Sequence, residues 1–364
     1  MRKSLLLSVA SVFGLASLPY TLAWGAAGHE IVATIAQSYL DSRVLNTVCS
    51  ILASDVEVDQ IRGDAPCYLS TVASWADKIR NHARWSGPLH YVGAVGDHPS
   101  DNCLFPGSGG WEGRERGNVL DAIQNVSSIL VDFARVSTPS SATVIAAPEQ
   151  AQEALKFLIH FVGDMHQPLH LTGRDRGGNG DKVSWDGRVT NLHSVWDTSL
   201  IAKSLRTISR NYSRPLPVPA LESSLRGAIY DPYVRRIVWE GVGVGRGTGR
   251  WESEANSWLA CPGTSHSAHG QEAPQEVLAG APRRKPVSRG PPQTSDSDIL
   301  CPHAWAAPIT RLTASLCGHQ NWTTPNSPHT TCRKDAGRGS RNYLELDTPE
   351  YSGRIGKDWV LRSC

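Results

Sequence analysis

The strongest constraint on the fold is a long amphipathic segment that carries two potential metal ligands. From Gln150 to Met165 apolar residues recur at helical spacing, and Pro168 follows, so the sequence predicts a helix that ends or kinks there. His160 and Asp164 stand four residues apart within this segment. Because positions i and i+4 of a helix share one face, we predict that both side chains reach the same metal ion.

The same spacing recurs in His193 and Asp197, within a helix predicted from Asn191 to Ser199 that Asn191 can cap. The full set of candidate ligands is His29, Asp77, His90, His160, Asp164, His170, His193 and Asp197. For any one of these histidines the alternative is a buried, hydrogen-bonded side chain without a metal. Imidazole and carboxylate ligands suit zinc, and none of the eight cysteines stands in a zinc-type pair.

The remaining pattern predicts a mainly α fold with long loops. Further helices are predicted at Gly28–Leu40 and Val72–Arg80, and a short strand and turn at Lys182–Gly187. The formal net charge is +2, so the chain has no global field that selects a partner. A polyanion would need a local positive site.

The first 23 residues have the features of a secretory signal. Arg2 and Lys3 precede an apolar stretch too short to span a bilayer, and a small-x-small site ends at Ala23. The alternative is an uncleaved anchor or a buried helix. We expect cleavage before Trp24 and a secreted protein without a membrane segment.

Secretion makes the cysteines candidates for disulfides. Cys49 and Cys67 lie close in sequence and are expected to pair, whereas Cys103 needs a distant partner, with Cys261 and Cys301 as candidates. Three glycosylation sequons begin at Asn125, Asn211 and Asn321.

Composition divides the chain after residue 261. We predict a catalytic domain over 24–261, a low-complexity insertion rich in Pro, Gly, Ser and Arg over 262–340, and a truncated C-terminal helical region over 341–364. Translated non-coding sequence is the alternative origin of the insertion. The product would then be inactive or misfolded.

Six motifs stand in the order found in one known family: Trp24-Gly-x-x-Gly-His29, Ser74-Trp-Ala-Asp77, Leu89-His90-Tyr91, the segment from His160 to His170, Gly177-Gly178-Asn179, and Asn191-Leu-His193-x-x-Trp-Asp197. The chain thereby resembles the S-one/P-one family of zinc-dependent single-strand-specific nucleases of fungi and plants. The resemblance covers residues 24–261. It implies a helical domain of the phospholipase C/nuclease type.

The resemblance implies three zinc ions and assigns their ligands. The first ion would take Asp77, His90, His160 and Asp164. The second would take the amino and carbonyl groups of a terminal Trp24, with His29 and the bridging Asp164. The third would take His170, His193 and Asp197. A zinc-bound hydroxide would attack phosphorus, with Asp77, Asp164 and Arg80 as the catalytic residues.

The resemblance also implies the substrate contacts. Arg80 would face the phosphate, Tyr91 would stack on a base, and Gly178 and Asn179 would lie beside that base. A helix-surface arginine and a core tyrosine are the alternatives for Arg80 and Tyr91. The expected partners are single-stranded DNA, RNA and 3′-nucleotides, cleaved to 5′-phosphate products, and no protein partner is indicated. A zinc-dependent phospholipase C is the alternative function.

Two positions depart from the family pattern. Gly93 replaces a carboxylate that steadies the phosphate-facing arginine, with Asp97 as the candidate substitute. Arg188 stands where some members have a tyrosine for a second nucleotide. Arg176 and Arg188 are candidate phosphate contacts or solvated side chains.

Overall fold

A computed structural model describes residues 24–52, 65–93, 117–136, 148–173, 175–243, 249, 261, 300–317 and 346–347. The predicted signal segment, Asp97, Cys103 and most of the predicted C-terminal region lie outside these residues. The described chain is mainly helical, which confirms the predicted fold class. Among its helices, none combines the length and apolarity that a membrane span requires.

Most of the described helices and strands lie between Trp24 and Gly243. The described α-helices are α1 (Ala26–Tyr39), α2 (Ser42–Leu52), α3 (Trp75–Ile79), α4 (Val119–Val136), α5 (Pro148–His166), α6 (Asp175–Gly178), α7 (Leu192–Ser194), α8 (Leu200–Thr207), α9 (Pro219–Ser224), α10 (Asp231–Arg236) and α11 (Pro302–Cys317). Short 3₁₀ segments lie at Leu69–Thr71, Arg84–His90, Pro168–Leu171 and Arg210–Ser213. Wider π-helical turns lie at Val195–Ser199 and Ile237–Val242.

Helix α5 is the centre of the fold, as the sequence predicts. It begins at Pro148, a residue that favours the first helical position, and ends at His166, just before Pro168. One of its faces packs along α4, and it also contacts α1, α2 and α3. The apolar side chains of Phe157, Phe161 and Met165 are buried there. The face that carries His160 and Asp164 is therefore enclosed by neighbouring elements.

The helix predicted at Val72–Arg80 forms only in part. The chain makes a 3₁₀ turn at Leu69–Thr71 and becomes α-helical only at Trp75. Between them, the carbonyl of Ala73 accepts a hydrogen bond from Nδ1 of His160 at 2.7 Å. The break between the two helical segments therefore leaves the Ala73 carbonyl available to bind the His160 ring.

The β element is a hairpin of β1 (Lys182–Trp185) and β2 (Arg188–Asn191). The strands pair antiparallel with Trp185 opposite Arg188. Asp186 and Gly187 both have positive φ angles, 51° and 70°, which an Asp-Gly pair readily adopts in a tight hairpin. The first strand and its turn were predicted, and the second strand was not.

Buried apolar side chains form three clusters, two of which include residues of α5. One gathers Trp24, the hairpin and helices α8 to α10. A second joins α4, α5 and α11. The third lies under α2. Trp24 is fully buried in the first cluster, so the packed core includes a residue two positions before α1.

Two disulfides link described residues. Cys49 pairs with Cys67, which confirms the prediction. Cys261 pairs with Cys301, so the proposed pairing of Cys103 with one of these two was wrong. Pairing depends on which Cα atoms the fold brings within reach, and sequence separation does not give that distance.

Helix α11 lies inside the range predicted to be a low-complexity insertion. It begins at Pro302, directly after the disulfide-bonded Cys301, and its Ala306 and Ile309 are buried in the second cluster. Residues 302–317 of that range therefore form a helix that packs on the domain. The predicted boundaries of the domain and the insertion remain a prediction.

Candidate metal centre

The eight candidate ligands converge from elements far apart in sequence. Helix α5 supplies His160 and Asp164, and the 3₁₀ turn that follows Pro168 supplies His170. The other ligands come from α1 (His29), α3 (Asp77), the 3₁₀ segment Arg84–His90 (His90), α7 (His193) and the π-helical turn after it (Asp197). All eight side chains are buried.

Their ligand atoms form three groups, each compact enough to hold one metal ion. The first group is Asp77, His90 and His160, the second is His29, His160 and Asp164, and the third is His170, His193 and Asp197. The first two groups share His160. The third group has the residues of the ligand set that the resemblance implies. The first group lacks Asp164, and the second contains His160 beside His29 and Asp164 but not the backbone groups of Trp24.

In the first group the ring nitrogens face each other and a carboxylate. Nε2 of His160 lies 3.1 Å from Nδ1 of His90, and Oδ1 of Asp77 lies 3.7 Å and 3.8 Å from these two nitrogens. Asp164 approaches the same nitrogens with its Oδ2, at 2.9 Å from His90 and 3.2 Å from His160.

Asp164 also reaches the second group, with its other oxygen. Its Oδ1 lies 3.5 Å from Nε2 of His29. The His29 ring stacks on the His160 ring, with centroids 3.8 Å apart. Gly163 makes this approach possible, because a Cβ at that position would lie 2.6 Å from Nδ1 of His29. One carboxylate therefore faces two ligand groups.

The third group is held by a helix cap and a widened turn. The side chain of Asn191 accepts a hydrogen bond from the Ser194 backbone N–H at 2.8 Å, which confirms the predicted cap. Nε2 of His193 then lies 3.1 Å from Oδ2 of Asp197 and 3.3 Å from Nε2 of His170. π-Helical turns of this kind are frequent at functional sites.

Backbone carbonyls orient three of the rings. Nδ1 of His160 donates to the Ala73 carbonyl at 2.7 Å. In the same way, Nδ1 of His170 donates to the His90 carbonyl at 2.6 Å, and Nδ1 of His193 donates to the Gly177 carbonyl at 2.5 Å. A carbonyl only accepts, so Nδ1 carries the proton and the Nε2 lone pair of each neutral ring points into its group. Metal-binding histidines commonly have this arrangement.

The arrangement fits zinc ions. When His170 and His193 are both neutral, their Nε2 lone pairs face each other across 3.3 Å and repel unless a metal ion or a proton lies between them. Two nitrogens bound to a tetrahedral zinc at about 2.0–2.1 Å would lie about 3.3 Å apart. Buried atoms without a hydrogen bond also cluster here: both ring nitrogens of His29, Oδ1 of Asp77, Nε2 of His90 and Oδ1 of Asp164. Such atoms are costly unless a ligand satisfies them.

Burial and neighbouring charges shift the ionisation of the ligands. Burial lowers the pKa of His29 well below its usual value and that of His170 to about 4, so both rings are neutral. Burial opposes ionisation of Asp164, but His160 and His90 outweigh it and hold its pKa well below the usual range. Burial raises the pKa of Asp77 to about 6, partly opposed by His160. Neutral imidazole and ionised carboxylate are the forms that bind metal.

The predicted substrate residues lie around this centre. Arg80 places a guanidinium nitrogen 3.7 Å from Oδ1 of Asp77, and its side chain is mostly buried. Tyr91, directly after His90, is 52 % exposed, which argues against the core alternative. Gly178 is buried and has a φ of 76°. Nδ2 of Asn179 donates to the Arg176 carbonyl at 2.8 Å, and Oδ1 of Asn179 is buried without a hydrogen bond.

The positions that depart from the family pattern are also described. A Cβ on Gly93 would lie 3.2 Å from Cα of Gly173, so a larger residue there would press on the chain that follows His170. Arg176 and Arg188 are both exposed. His166, which was not predicted as a ligand, uses Nδ1 to contact the Val162 carbonyl at 2.6 Å.

Gln167 is a site residue that the sequence did not reveal. It is fully buried, and its side-chain amide donates to Oδ1 of Asp197 at 2.7 Å. No spacing relates a glutamine at 167 to an aspartate at 197, so only the folded chain brings them together.

The sequence of this chain is similar to those of known nucleases. A family model described as S1/P1 Nuclease matches residues 24–255. The chain is 37 % identical to Nuclease S1 of Aspergillus oryzae over 198 residues, which are 52 % of this chain and 58 % of that protein. It is 36 % identical to Endonuclease 4 of Arabidopsis thaliana over 210 residues (56 % and 64 %) and 37 % identical to Nuclease P1 of Penicillium citrinum over 187 residues (50 % and 59 %). The chain therefore spans about 60 % of the length of these curated relatives.

Proposed function

The chain belongs to the S1/P1 nuclease family, and from this membership we propose that it is a zinc-dependent endonuclease and 3′-nucleotidase. Its substrates are single-stranded DNA, RNA and 3′-nucleotides, and its products carry 5′-phosphates. The observation that carries the proposal is the set of three buried His/Asp groups whose ligand atoms face one another. In the first two groups, buried atoms of His29, Asp77, His90 and Asp164 also lack a hydrogen bond.

Each group would hold one zinc ion. The terminal amine and carbonyl of a processed Trp24 would complete the second group, since a free amine binds zinc and an internal amide does not. When bound, zinc lowers the pKa of water to about 7 and neutralises phosphate charge. Asp164 would help to hold both of the first two ions, because its Oδ1 faces His29 and its Oδ2 faces His90 and His160.

Charge supports a phosphodiester as the substrate. Three zinc ions bring six positive charges, whereas the ligands Asp77, Asp164 and Asp197 bring three negative ones. The filled site would be a local positive centre in a chain of net charge +2. Arg80 adds a guanidinium beside Asp77 that would contact a phosphate oxygen.

The reaction is hydrolysis of a phosphodiester. The oxygen of water joins phosphorus, the bond from phosphorus to the 3′-oxygen breaks, and a proton goes to that oxygen. The products are a 5′-phosphate and a 3′-hydroxyl. The ligands hold the reacting groups in a buried site, where positioning and electrostatic stabilisation act strongly.

Preference for single strands would come from base stacking. Tyr91 presents a half-exposed ring directly beside the ligand His90, and an unpaired base can stack on it whereas a base inside a duplex cannot. We propose that Asn179 lies beside the same base, as the family resemblance implies.

We also propose that the protein acts outside the cell after cleavage before Trp24. Two disulfides fit an oxidising compartment. Asn125 and Asn211, the first residues of two sequons, are exposed. Arabidopsis and fungal relatives with nuclease names make nucleic acid the favoured substrate over a phospholipid.

The test is a substrate panel with the mature chain beginning at Trp24. We expect nucleotide release from single-stranded DNA and RNA, far less from duplex DNA, and none from phosphatidylcholine vesicles. Chelation should abolish activity, and zinc should restore it. Hydrolysis of phosphatidylcholine alone, or nuclease activity that persists without zinc, would contradict the proposal. A chain with one extra residue before Trp24 should lose most activity.

A further inference from the structure

Gln167 holds one oxygen of a candidate metal ligand from inside the core. Its Nε2 donates to Oδ1 of Asp197 at 2.7 Å, and its side chain is fully buried. We propose that Gln167 is a positioning residue that presents Asp197 to the zinc ion of the third group. This inference rests on the proposed function.

The orientation of the Gln167 amide follows from its second contact. Its Oε1 accepts a hydrogen bond from the backbone N–H of Leu169 at 2.6 Å. A backbone N–H donates, so the amide oxygen must face Leu169 and the NH₂ group must face Asp197. If the amide were flipped, its NH₂ group would face the Leu169 N–H and its oxygen would face the Asp197 carboxylate, and both contacts would be repulsive.

The two oxygens of Asp197 have different partners. Oδ1 receives the Gln167 N–H, while Oδ2 lies 3.1 Å from Nε2 of His193. Gln167 therefore favours binding of the ion through Oδ2 alone. The Asp197 backbone is held as well, because its carbonyl accepts from the Gly25 N–H at 2.8 Å.

The backbone of Gln167 also connects Asp164, which faces the first two groups, to His170 of the third group. Gln167 lies between Asp164 and His170 in sequence, and its own backbone N–H donates to the Asp164 carbonyl at 3.0 Å. The His170 N–H donates to the Gln167 carbonyl at 2.9 Å. One residue thus orients Asp197 by its side chain and connects α5 to the turn that carries His170.

Gln37 provides a matched control. It too is buried, its Oε1 accepts from the Leu69 N–H at 2.8 Å, and its Nε2 donates at 3.0 Å. The acceptor, however, is the carbonyl of Cys67 and not a metal-ligand carboxylate. Replacing either glutamine by methionine removes two buried hydrogen bonds at similar shape. Only the change at 167 alters a ligand.

The experiment compares zinc retention in the wild type, Gln167→Met and Gln37→Met. Each mature chain is dialysed against a series of zinc buffers, bound zinc is counted by metal analysis, and the folded fraction is taken from circular dichroism. We expect three ions in the wild type and in Gln37→Met. In Gln167→Met one ion should bind about 10–100-fold more weakly, the range found when a supporting contact of a ligand is removed.

Visible absorption of the cobalt-substituted proteins gives a second readout. Bands of the ion at the third group should shift in Gln167→Met, because Asp197 changes its position, and should be unchanged in Gln37→Met. If Gln167→Met does not fold, Gln167→Glu takes its place, since it keeps the acceptor for Leu169 but replaces the donor by a carboxyl oxygen that faces and repels Oδ1 of Asp197. Equal zinc retention and equal spectra in all variants would overturn the inference. A wild type that binds fewer than three ions would instead overturn the proposed function.

Discussion

Gly163→Ala should remove His29 from the metal centre by adding a single methyl group. The new Cβ would lie 2.6 Å from Nδ1 and 3.1 Å from Cε1 of the His29 ring. Ordinary contact begins at 3.4 Å, so the ring must retreat by about 0.8 Å. Ligand distances at a zinc site vary by only about 0.2 Å, so the shift is roughly four times what the ion tolerates.

The effect should appear in zinc binding rather than in the helix. Alanine is about 1 kcal/mol more favourable than glycine inside a helix, so α5 itself should tolerate the change. Removal of a supporting contact alone weakens metal binding about 10–100-fold, and displacement of a ligand should cost at least the upper end of that range. We expect two tightly bound ions and one weak ion by zinc titration, with nuclease activity reduced in parallel.

Gly87→Ala is the control. The nearest atoms to its added Cβ are 4.0 Å away, on the Arg80 side chain, so no ring has to move. This variant should bind zinc as the wild type does. If Gly163→Ala also keeps all its zinc at wild-type affinity, the ring position of His29 does not matter and the reasoning is refuted.

Three further predictions concern the substrate, the fold and the metal-free site. Tyr91→Ala should weaken binding of single-stranded DNA by about 1–3 kcal/mol, the contribution of one stacked base, seen as a raised KM with zinc content unchanged; an unaltered KM would exclude stacking on this ring. Replacing Cys261 and Cys301 by serine should lower the free energy of unfolding by up to about 4 kcal/mol in denaturant titrations, because their disulfide closes a loop of 40 residues, and a loss near zero would argue against that pairing. In the metal-free protein burial raises the pKa of Asp77 to about 6, so the folded state binds this proton more tightly than the unfolded state does. The resulting gain in the free energy of unfolding is complete below about pH 4 and is lost as the pH rises through 6. Between pH 4 and pH 7 the free energy of unfolding of the wild type, measured in urea titrations, should fall by about 3 kcal/mol more than that of Asp77→Asn. Identical pH profiles of the two proteins would contradict this prediction.

The local parts of the site could be predicted from the sequence. The pairs His160/Asp164 and His193/Asp197 lie on helical turns, where spacing alone determines which side chains share a face. The Asn191 cap followed from the same local rules. The order of the motifs then related these pairs to one family.

Contacts between distant segments could not be predicted in this way. The partner of Cys261 depends on where α11 packs, and this helix begins in a segment whose overall composition resembles a linker. Pro308 lies inside this helix, where proline argues against a helical prediction, although the helix buries a face that includes Ala306. Gln167 has no motif of its own, since its role depends on a carboxylate 30 residues away.

The central claim is that the three ligand groups each hold a zinc ion. Crystals of the mature chain, grown with zinc and measured above and below the zinc absorption edge, test it most directly. We predict three anomalous peaks, one within each group, with a peak between His170, His193 and Asp197 and two sharing Asp164. An empty group in zinc-saturated crystals, or zinc bound elsewhere in its place, would contradict the account.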